Sequence, residues 1–344
     1  MWFFPWYCRF TAGSGKKAGK IVAHAGRAFE LAPWQAWIVR QAFGWKRADG
    51  TRVYRRVMIW VPRGNGKTDW AAGIAHLAMT RLGVEGAEVF SIAANEAQAS
   101  IVFNAAQAMV SYSPDLARVY ELRKKSIYCP ETHAVFRPLS GKPTGKHGLK
   151  AYCLIGDEMH EWPTGDLHQF VRQSMLKWAD PLEWLISTAG QNLEGYGHKL
   201  WDECEMIASG AYDDAETLVV MYGAEATDDL SDPGVQAKAN PNLGISVDRE
   251  FLATEVAKAQ MLPYHMAYVK RYHFNVWSAE DTLWLPPEVW ARCTSRPGDK
   301  EAWKRYADEL AGRRCFGAFD GASTRDTNCL LWLFPPAGAD PKWR

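Results

Sequence analysis

The sequence predicts an α/β fold with a doubly wound, mostly parallel sheet. Three observations carry that reading. Apolar β-branched runs alternate with helical patterns, the order in which parallel strands and crossover helices are laid down. One such run leads into a Gly-rich segment, Val61-Pro-Arg-Gly-Asn-Gly-Lys-Thr68, and a helical pattern follows it. Another, Tyr152 to Ile155, ends in Gly156 and the adjacent acids Asp157 and Glu158. Ligands of open α/β sheets bind outside the carboxyl ends of the strands, so both segments point to one site.

The elements follow in order. Residues 12–20 are rich in Gly and Lys and read as a loop. The run GSGKKAGK there superficially resembles a second phosphate loop, without the flanking strand and helix. Pro33 can open a helix through Trp37, Val39 and Phe43. A strand over 57–61 precedes a helix over 69–82, with Gly83 as its stop. Residues 88–94 read as a strand, and Asn95 with Gln98 gives a capping-box-like start to a helix through Ala108. Residues 113–150 are less regular. Beyond them come a strand over 152–156, a helix near 165–178, a strand over 183–188, a helix near 198–208 and a strand over 217–222. Residues 228–244 are turn-rich, 248–274 helical, and 278–300 rich in Pro. Residues 314–334 read as two strands joined by a polar turn. The expected division is a first domain over 1–277, a linker over 278–312 and the start of another domain over 313–344.

Composition narrows the function classes. The 344 residues carry 40 basic and 39 acidic side chains, a net charge of +1, so no overall basicity advertises a nucleic-acid partner. A local basic patch could still serve one. The seven cysteines form no C-x-x-C and no zinc-finger spacing, and read as reduced core thiols, with Cys153 and Cys315 inside strands. The apolar start Met1-Trp-Phe-Phe-Pro-Trp-Tyr7 is too short for a signal or membrane segment, and no run long enough to span a bilayer occurs. The expectation is a soluble, intracellular protein without membrane contact.

The chemistry lies in the motifs. Backbone N–H groups around Gly64, Asn65, Gly66, Lys67 and Thr68 can point at phosphate oxygens, with both glycines free to take positive φ. The first glycine of the common G-x-x-x-x-G-K-[ST] pattern is replaced by Val61. Lys67 would neutralise the phosphates, Thr68 would bind Mg²⁺, and Arg63 adds a second cation. Asp157 would hold Mg²⁺ directly or through water, and Glu158 would orient and deprotonate the attacking water. Ser187-Thr-Ala-Gly190, a strand ending in small hydroxyl residues, can sense the γ-phosphate or simply leave the sheet. Gln35, beside Trp34 and upstream of the loop, can read an adenine edge with the base stacked on Trp34 or on an apolar wall. The same helix also fits an amphipathic role that buries Trp34 and Ile38. Asp320, in an apolar strand, is costly to bury without a partner or metal. It is either the first acid of a two-metal nuclease site or a strand-end residue facing solvent.

Taken in order, FELAPWQ, VPRGNGKT, SIAANEAQA, LIGDEMHEW, STAG, NPNLG and FGAFDGASTRDTNCLLWLF resemble the large terminase subunit of tailed bacteriophages, of the HK97-like branch. The resemblance runs from about residue 26 to 335, and a phosphate loop with a basic residue but no first glycine is typical of that family. It implies a sheet of the P-loop NTPase type, followed by the first hairpin of an incomplete RNase H-like nuclease domain. It implies an ATP-driven motor that packages viral DNA into a procapsid, joined to an endonuclease. By family pattern Lys67, Thr68, Asp157 and Glu158 carry ATP hydrolysis with Mg²⁺, Gln35 recognises adenine, and Ser187, Thr188 and Gly190 couple hydrolysis to movement. Asp320 would match the first acid of a nuclease site using Mg²⁺ or Mn²⁺. The implied partners are double-stranded DNA, the small terminase subunit, the portal protein and further copies of the chain in a ring. Arg137 and Lys146 are candidates for a cation acting on a neighbour's site. The implied location is the cytoplasm of the infected or lysogenic host, outside the mature virion. Because family members continue past Arg344, a full nuclease fold is expected to be missing, through truncation of the gene or because the chain is a fragment. The competing expectations are a helicase-like DNA-stimulated ATPase and a prophage remnant that only binds nucleotide.

Overall fold

The structure is a computed structural model that describes residues 3–10, 14–17, 20–23, 26–141, 148–278, 304, 307–320 and 329–335. Its first unit, Met1–Thr282, opens with helix α1 (Phe3–Tyr7), a hairpin of β1 (Ser14–Lys17) and β2 (Lys20–Ala23), and α2 (Pro33–Gly44). There follow β3 (Arg56–Trp60), α3 (Lys67–Thr80), β4 (Glu88–Ile92), α4 (Glu96–Tyr112), α5 (Pro114–Val119), β5 (Glu121–Arg123), β6 (Ser126–Cys129) and β7 (Ala134–Leu139). The unit continues with β8 (Ala151–Asp157), α6 (Asp166–Ser174), β9 (Leu182–Ser187), α7 (Tyr196–Ala208), β10 (Thr217–Met221), α8 (Pro233–Ala239), α9 (Arg249–Met261) and α10 (Pro263–Phe274).

Eight strands form one sheet in the order β10-β3-β9-β8-β4-β7-β6-β5. Pairing is parallel from β10 to β7 and antiparallel only at the β7-β6-β5 edge. Strand alternation sorts side chains onto two covered faces. In β3, Val57 and Ile59 join one core cluster with α2, α3 and α4, while Met58 and Trp60 join a second with α6 and α7. In β9, Leu182, Trp184 and Ile186 face the first cluster and Leu185 the second. A third cluster, including Leu230, Val256, Val269 and Phe274, packs α8, α9 and α10 together.

Four segments depart from the sequence expectation. The Gly/Lys stretch expected as a loop pairs as the β1–β2 hairpin. The irregular 113–150 region contains α5 and the antiparallel β5–β6–β7 meander, whose strands are short and carry exposed Glu121, Arg123 and Arg137. Turn-rich 228–244 contains α8, because Asp232 caps it, its side chain accepting from Gly234 N, and Pro233 occupies the first turn. The expected helix over 248–274 divides at Leu262 into α9 and α10, since Pro263 starts a new first turn. Asn95 caps α4 as expected, with Gln98 N donating to its Oδ1 at 2.9 Å.

The C-terminal end of α10 gathers other segments. The last carbonyls of a helix have no partner within it. Here Tyr272 O accepts from Arg63 N at 2.9 Å, His273 O from the Asn240 amide at 2.9 Å, and Phe274 O from Ala224 N at 2.9 Å. Asn275, in the left-handed region with φ of 57°, accepts from Ala189 N at 2.6 Å through its Oδ1.

The second unit, Leu283–Arg344, contains the antiparallel hairpin of β11 (Phe316–Asp320) and β12 (Cys329–Leu333). The two expected strands are therefore present, while the turn between them and most of the expected linker lie outside the described residues. Asp320 closes β11 opposite Cys329 rather than standing mid-strand, and its side chain lies outside the description. Cys315 precedes β11 and is half-buried, whereas Cys153 lies inside β8 as expected.

Candidate nucleotide site

The register of the sheet assembles the site. Trp60, the last residue of β3, is level with Ser187 of β9, and Asp157, the last of β8, is level with Ile186. The loop after β3 and the acids after β8 therefore emerge on either side of the same strand end. Val61 continues β3 by donating its N–H to Ser187 O at 2.9 Å, and its side chain is fully buried. That position needs no glycine, because it carries no positive φ. Gly64 and Gly66 do, with φ of 85° and 75°. The turn they allow brings the chain into α3, whose first residue is Lys67.

Lys67 is buried, and its Nζ donates to Val61 O at 3.2 Å. Burial pushes its pKa down, opposed by the charges of Glu158 and Asp157, with Arg63 adding a small push downward. Asp157 is pushed up to about 7, first by burial and then by the charge of Glu158, while Lys67 works against both. Glu158 is held at about 2. Burial alone would raise it, but Lys67 and then His160 overcome that effect. The resting site thus concentrates one firm negative charge at Glu158, opposite the lysine. Arg63 is exposed and stacks over the Tyr272 ring at 3.6 Å.

Glu158 itself has φ of 47°, a conformation that side chains other than glycine rarely adopt and that costs free energy. Its N–H donates to Asp157 Oδ1 at 3.0 Å, and its Oε2 lies 3.3 Å from His160 Nδ1. The His160 ring also lies 3.1 Å from Ser187 Oγ and 3.1 Å from Glu161 Oε1. Glycines make room for this crowding. A Cβ on Gly190 would come 2.9 Å from His160 Cβ and 2.9 Å from the Trp277 ring, and one on Gly197 would meet His160 Cα at 2.7 Å. Gly156 has a similar cause: a Cβ there would lie 2.9 Å from Trp162, whose indole N–H donates to Asp157 O at 3.0 Å.

Of the other expected residues, Ser187, Thr188 and Gly190 are buried at the end of β9, beside the phosphate loop. Gln35 is buried in the first turn of α2, its Oε1 accepting from Ala32 N at 3.0 Å. Among the described residues its Nε2 has no hydrogen-bond partner, and it lies 3.7 Å from where a Cβ on Gly66 would stand. Trp34 packs edge-on against Trp70 and Tyr222, with its indole N–H donating to Asn242 Oδ1 at 2.8 Å. Arg137 is exposed on β7, away from the strand ends, and Lys146 lies outside the described residues. The oxygen donors available beside the loop, the Asp157 carboxylate and the Thr68 hydroxyl, suit a hard cation such as Mg²⁺. A buried carboxylate with a raised pKa is also short of positive charge, so the residues present fit that ion. The sequence reading missed His160, Asn240, Asn242 and Asn275. The short-range signal for His160 was its position two residues after Glu158, and for Asn240 and Asn242 their place in the NPNLG segment, which announced no role; Asn275 gave none.

Comparison with known proteins agrees with this geometry. Residues 33–223 match the family model of the terminase large subunit, ATPase domain, and residues 211–302 match that of the terminase large subunit, endonuclease domain. The chain is 30% identical over 187 residues to Protein YmfN of Escherichia coli (strain K12), covering 54% of this chain and 40% of that protein. It is 25% identical over 286 residues to the terminase large subunit of Enterobacteria phage HK97, covering 81% of this chain and 54% of that one. The chain thus spans about half the length of these relatives. In fold it resembles the crystal structure of the HK97 bacteriophage large terminase, with a TM-score of 0.67 at 21% identity, covering 99% of this chain and 65% of that one. A family model that matches more than half of the residues, over a sheet carrying its phosphate loop and acidic strand end, makes this chain a member of the terminase large subunit family through its ATPase domain.

Proposed function

We propose that this chain hydrolyses ATP at the β3 and β8 strand ends and that the energy drives double-stranded DNA into a viral procapsid. The observation that carries the reading is the buried Lys67 beside Asp157 and Glu158 at the mouth of a glycine-turned loop. The N–H groups from Gly64 to Thr68 and the Lys67 ammonium would hold the phosphates. Asp157 and Thr68 would hold Mg²⁺, which supplies charge neutralisation when bound. Glu158 would take the proton from the attacking water. As Lys67 turns toward the triphosphate, its hold on Glu158 weakens and the carboxylate becomes more basic. Ser187, Thr188 and Gly190 would couple the step to movement, supported by the contacts of Ser187 with Val61 and with His160 and by the close approach of Gly190 to His160. The Gln35 Nε2, without a hydrogen-bond partner among the described residues, supports a part in reading the base. Trp34, already packed on both sides, is better placed to support Gln35 than to stack on adenine.

By the same reading Asp320 would be a first Mg²⁺ or Mn²⁺ ligand of the family's endonuclease site, of whose domain only the first hairpin is expected in this chain. Support comes from the endonuclease-domain match over residues 211–302, which ends before the 313–344 segment assigned to that domain from sequence and so does not reach Asp320. The partners would be the small terminase subunit, the portal protein and other copies of the chain in a ring, in the host cytoplasm. Among the described residues no helix is long and apolar enough to cross a membrane. The family match disfavours the helicase-like alternative. Lys67→Ala is expected to abolish ATP turnover in a folded protein, measured as phosphate release. Normal turnover by that variant would overturn the assignment of the loop.

A further inference from the structure

A loop that aims successive N–H groups at an anion turns its carbonyls the other way, and buried carbonyls need donors. In this chain those donors are the side chains of Asn65, Asn242 and Ser246, with Asn240 holding Asn65 in place. Asn65 Nδ2 donates to Pro62 O at 3.1 Å, with Arg63 O at 3.4 Å, and to Asn240 Oδ1 at 3.1 Å. Ser246 Oγ donates to Gly64 O at 2.6 Å. Asn242 Nδ2 donates to Asn65 O at 3.2 Å and to Ser246 Oγ at 3.0 Å, while Asn242 N donates to Asn65 Oδ1 at 3.0 Å. Asn240 is fixed in turn by donating to Gln236 O and His273 O, and Asn242 by accepting from Trp34. Both protons of each of the three amides are used, and all three asparagines are buried. Such a fully satisfied buried network fixes one arrangement.

We infer that Asn65, Asn240, Asn242 and Ser246 are positioning residues for a nucleotide polyphosphate. They act on the outer, carbonyl side of the loop and fix its peptide planes, so that the N–H groups face the phosphates. The asparagines that follow α8 thereby complete the phosphate site from a distant part of the chain, without touching the ligand. This rests on the reading of the loop as an ATP site. It deepens that reading by assigning recognition of the phosphate chain, rather than the base, to these side chains.

The test is calorimetric titration of the full chain with a non-hydrolysable ATP analogue plus Mg²⁺ and, separately, with AMP, with thermal melting as a control. Ser246 is exposed, so Ser246→Ala should fold. It should weaken analogue binding by about twofold to tenfold, the size of one lost hydrogen bond. Ser246→Thr, which keeps the hydroxyl, should restore it. Asn242→Ala, which removes two donors and an acceptor, should lose more. AMP affinity should change less than analogue affinity in every variant. Unchanged analogue binding in folded Ser246→Ala and Asn242→Ala, or equal loss for AMP and the analogue, would overturn the inference while leaving the ATP site intact. A wild-type chain that binds no analogue would sink the ATP reading and this inference with it.

Discussion

Glu158 concentrates the local costs of the site. A half-buried carboxylate in the left-handed region is held by neighbours that leave it little freedom: Lys67 by charge, His160 by contact, and the 3.2 Å bond from its N–H to Ile186 O. Such strain persists where the surroundings over-determine it. Glu158→Gln keeps the size and the backbone but cannot accept a proton from water. It is expected to bind ATP and hydrolyse it more slowly by about 10² to 10⁴, read in single-turnover kinetics. Loss of binding in Glu158→Gln, together with full activity in Asp157→Asn, would reverse the roles of the two acids. Lys67, Thr68, Asp157 and Glu158 were legible because each motif is contiguous in sequence. The partnership of Asn65 with Asn240 was not, since nothing local in either segment announces a partner 175 residues away.

Elements were legible where burial imposed a pattern. β3, β8 and β9 are buried on both faces and centre on the apolar runs Val57–Trp60, Tyr152–Ile155 and Trp184–Ile186; β5 and β6 at the edge are short, and β5 and β7 carry exposed charged residues. α8 was hidden because Asp-Pro-Gly fits a turn as well as a capped helix start. Opposite the nucleotide end of the sheet, β3, β9 and α6 are joined by charge. Glu183 of β9 pairs with Arg56 at 3.3 Å, with Arg172 at 3.5 Å and with His168, all through a carboxylate that is almost fully buried. Burial alone would raise its pKa, but His168 first, then Arg56 and Arg172, hold it at about 2, below the ordinary 4.5. The folded state therefore binds that proton less readily than the unfolded chain. The pair's stabilisation is present above about pH 4.5 and is lost as pH falls towards 2. Denaturant titrations across that window should show a steep fall for the wild type and a flatter one for Glu183→Gln. Parallel slopes would remove Glu183 from the acid response.

Across the whole molecule, the family match and the fold agree on an ATPase sheet, and the third core cluster of α8, α9 and α10 is the part least anticipated from sequence. The sequence announced helices there but not their attachment, because the contacts are backbone carbonyls meeting amides from far along the chain. Tyr272 O and His273 O, at the end of α10, hold the phosphate loop through Arg63 N and the Asn240 amide. Such an end would otherwise fray into solvent. An opening fluctuation of α10 must first release the loop, so the helix and the ligand share one opening equilibrium. A nucleotide that binds only the closed loop suppresses that opening by mass action, by about a hundredfold at a hundred times its dissociation constant. Amide hydrogen exchange in the last turns of α10 should therefore slow by that order on adding an ATP analogue. Exchange there that ignores nucleotide, with slowing confined to residues 63–68, would mean that the loop and the helix open independently.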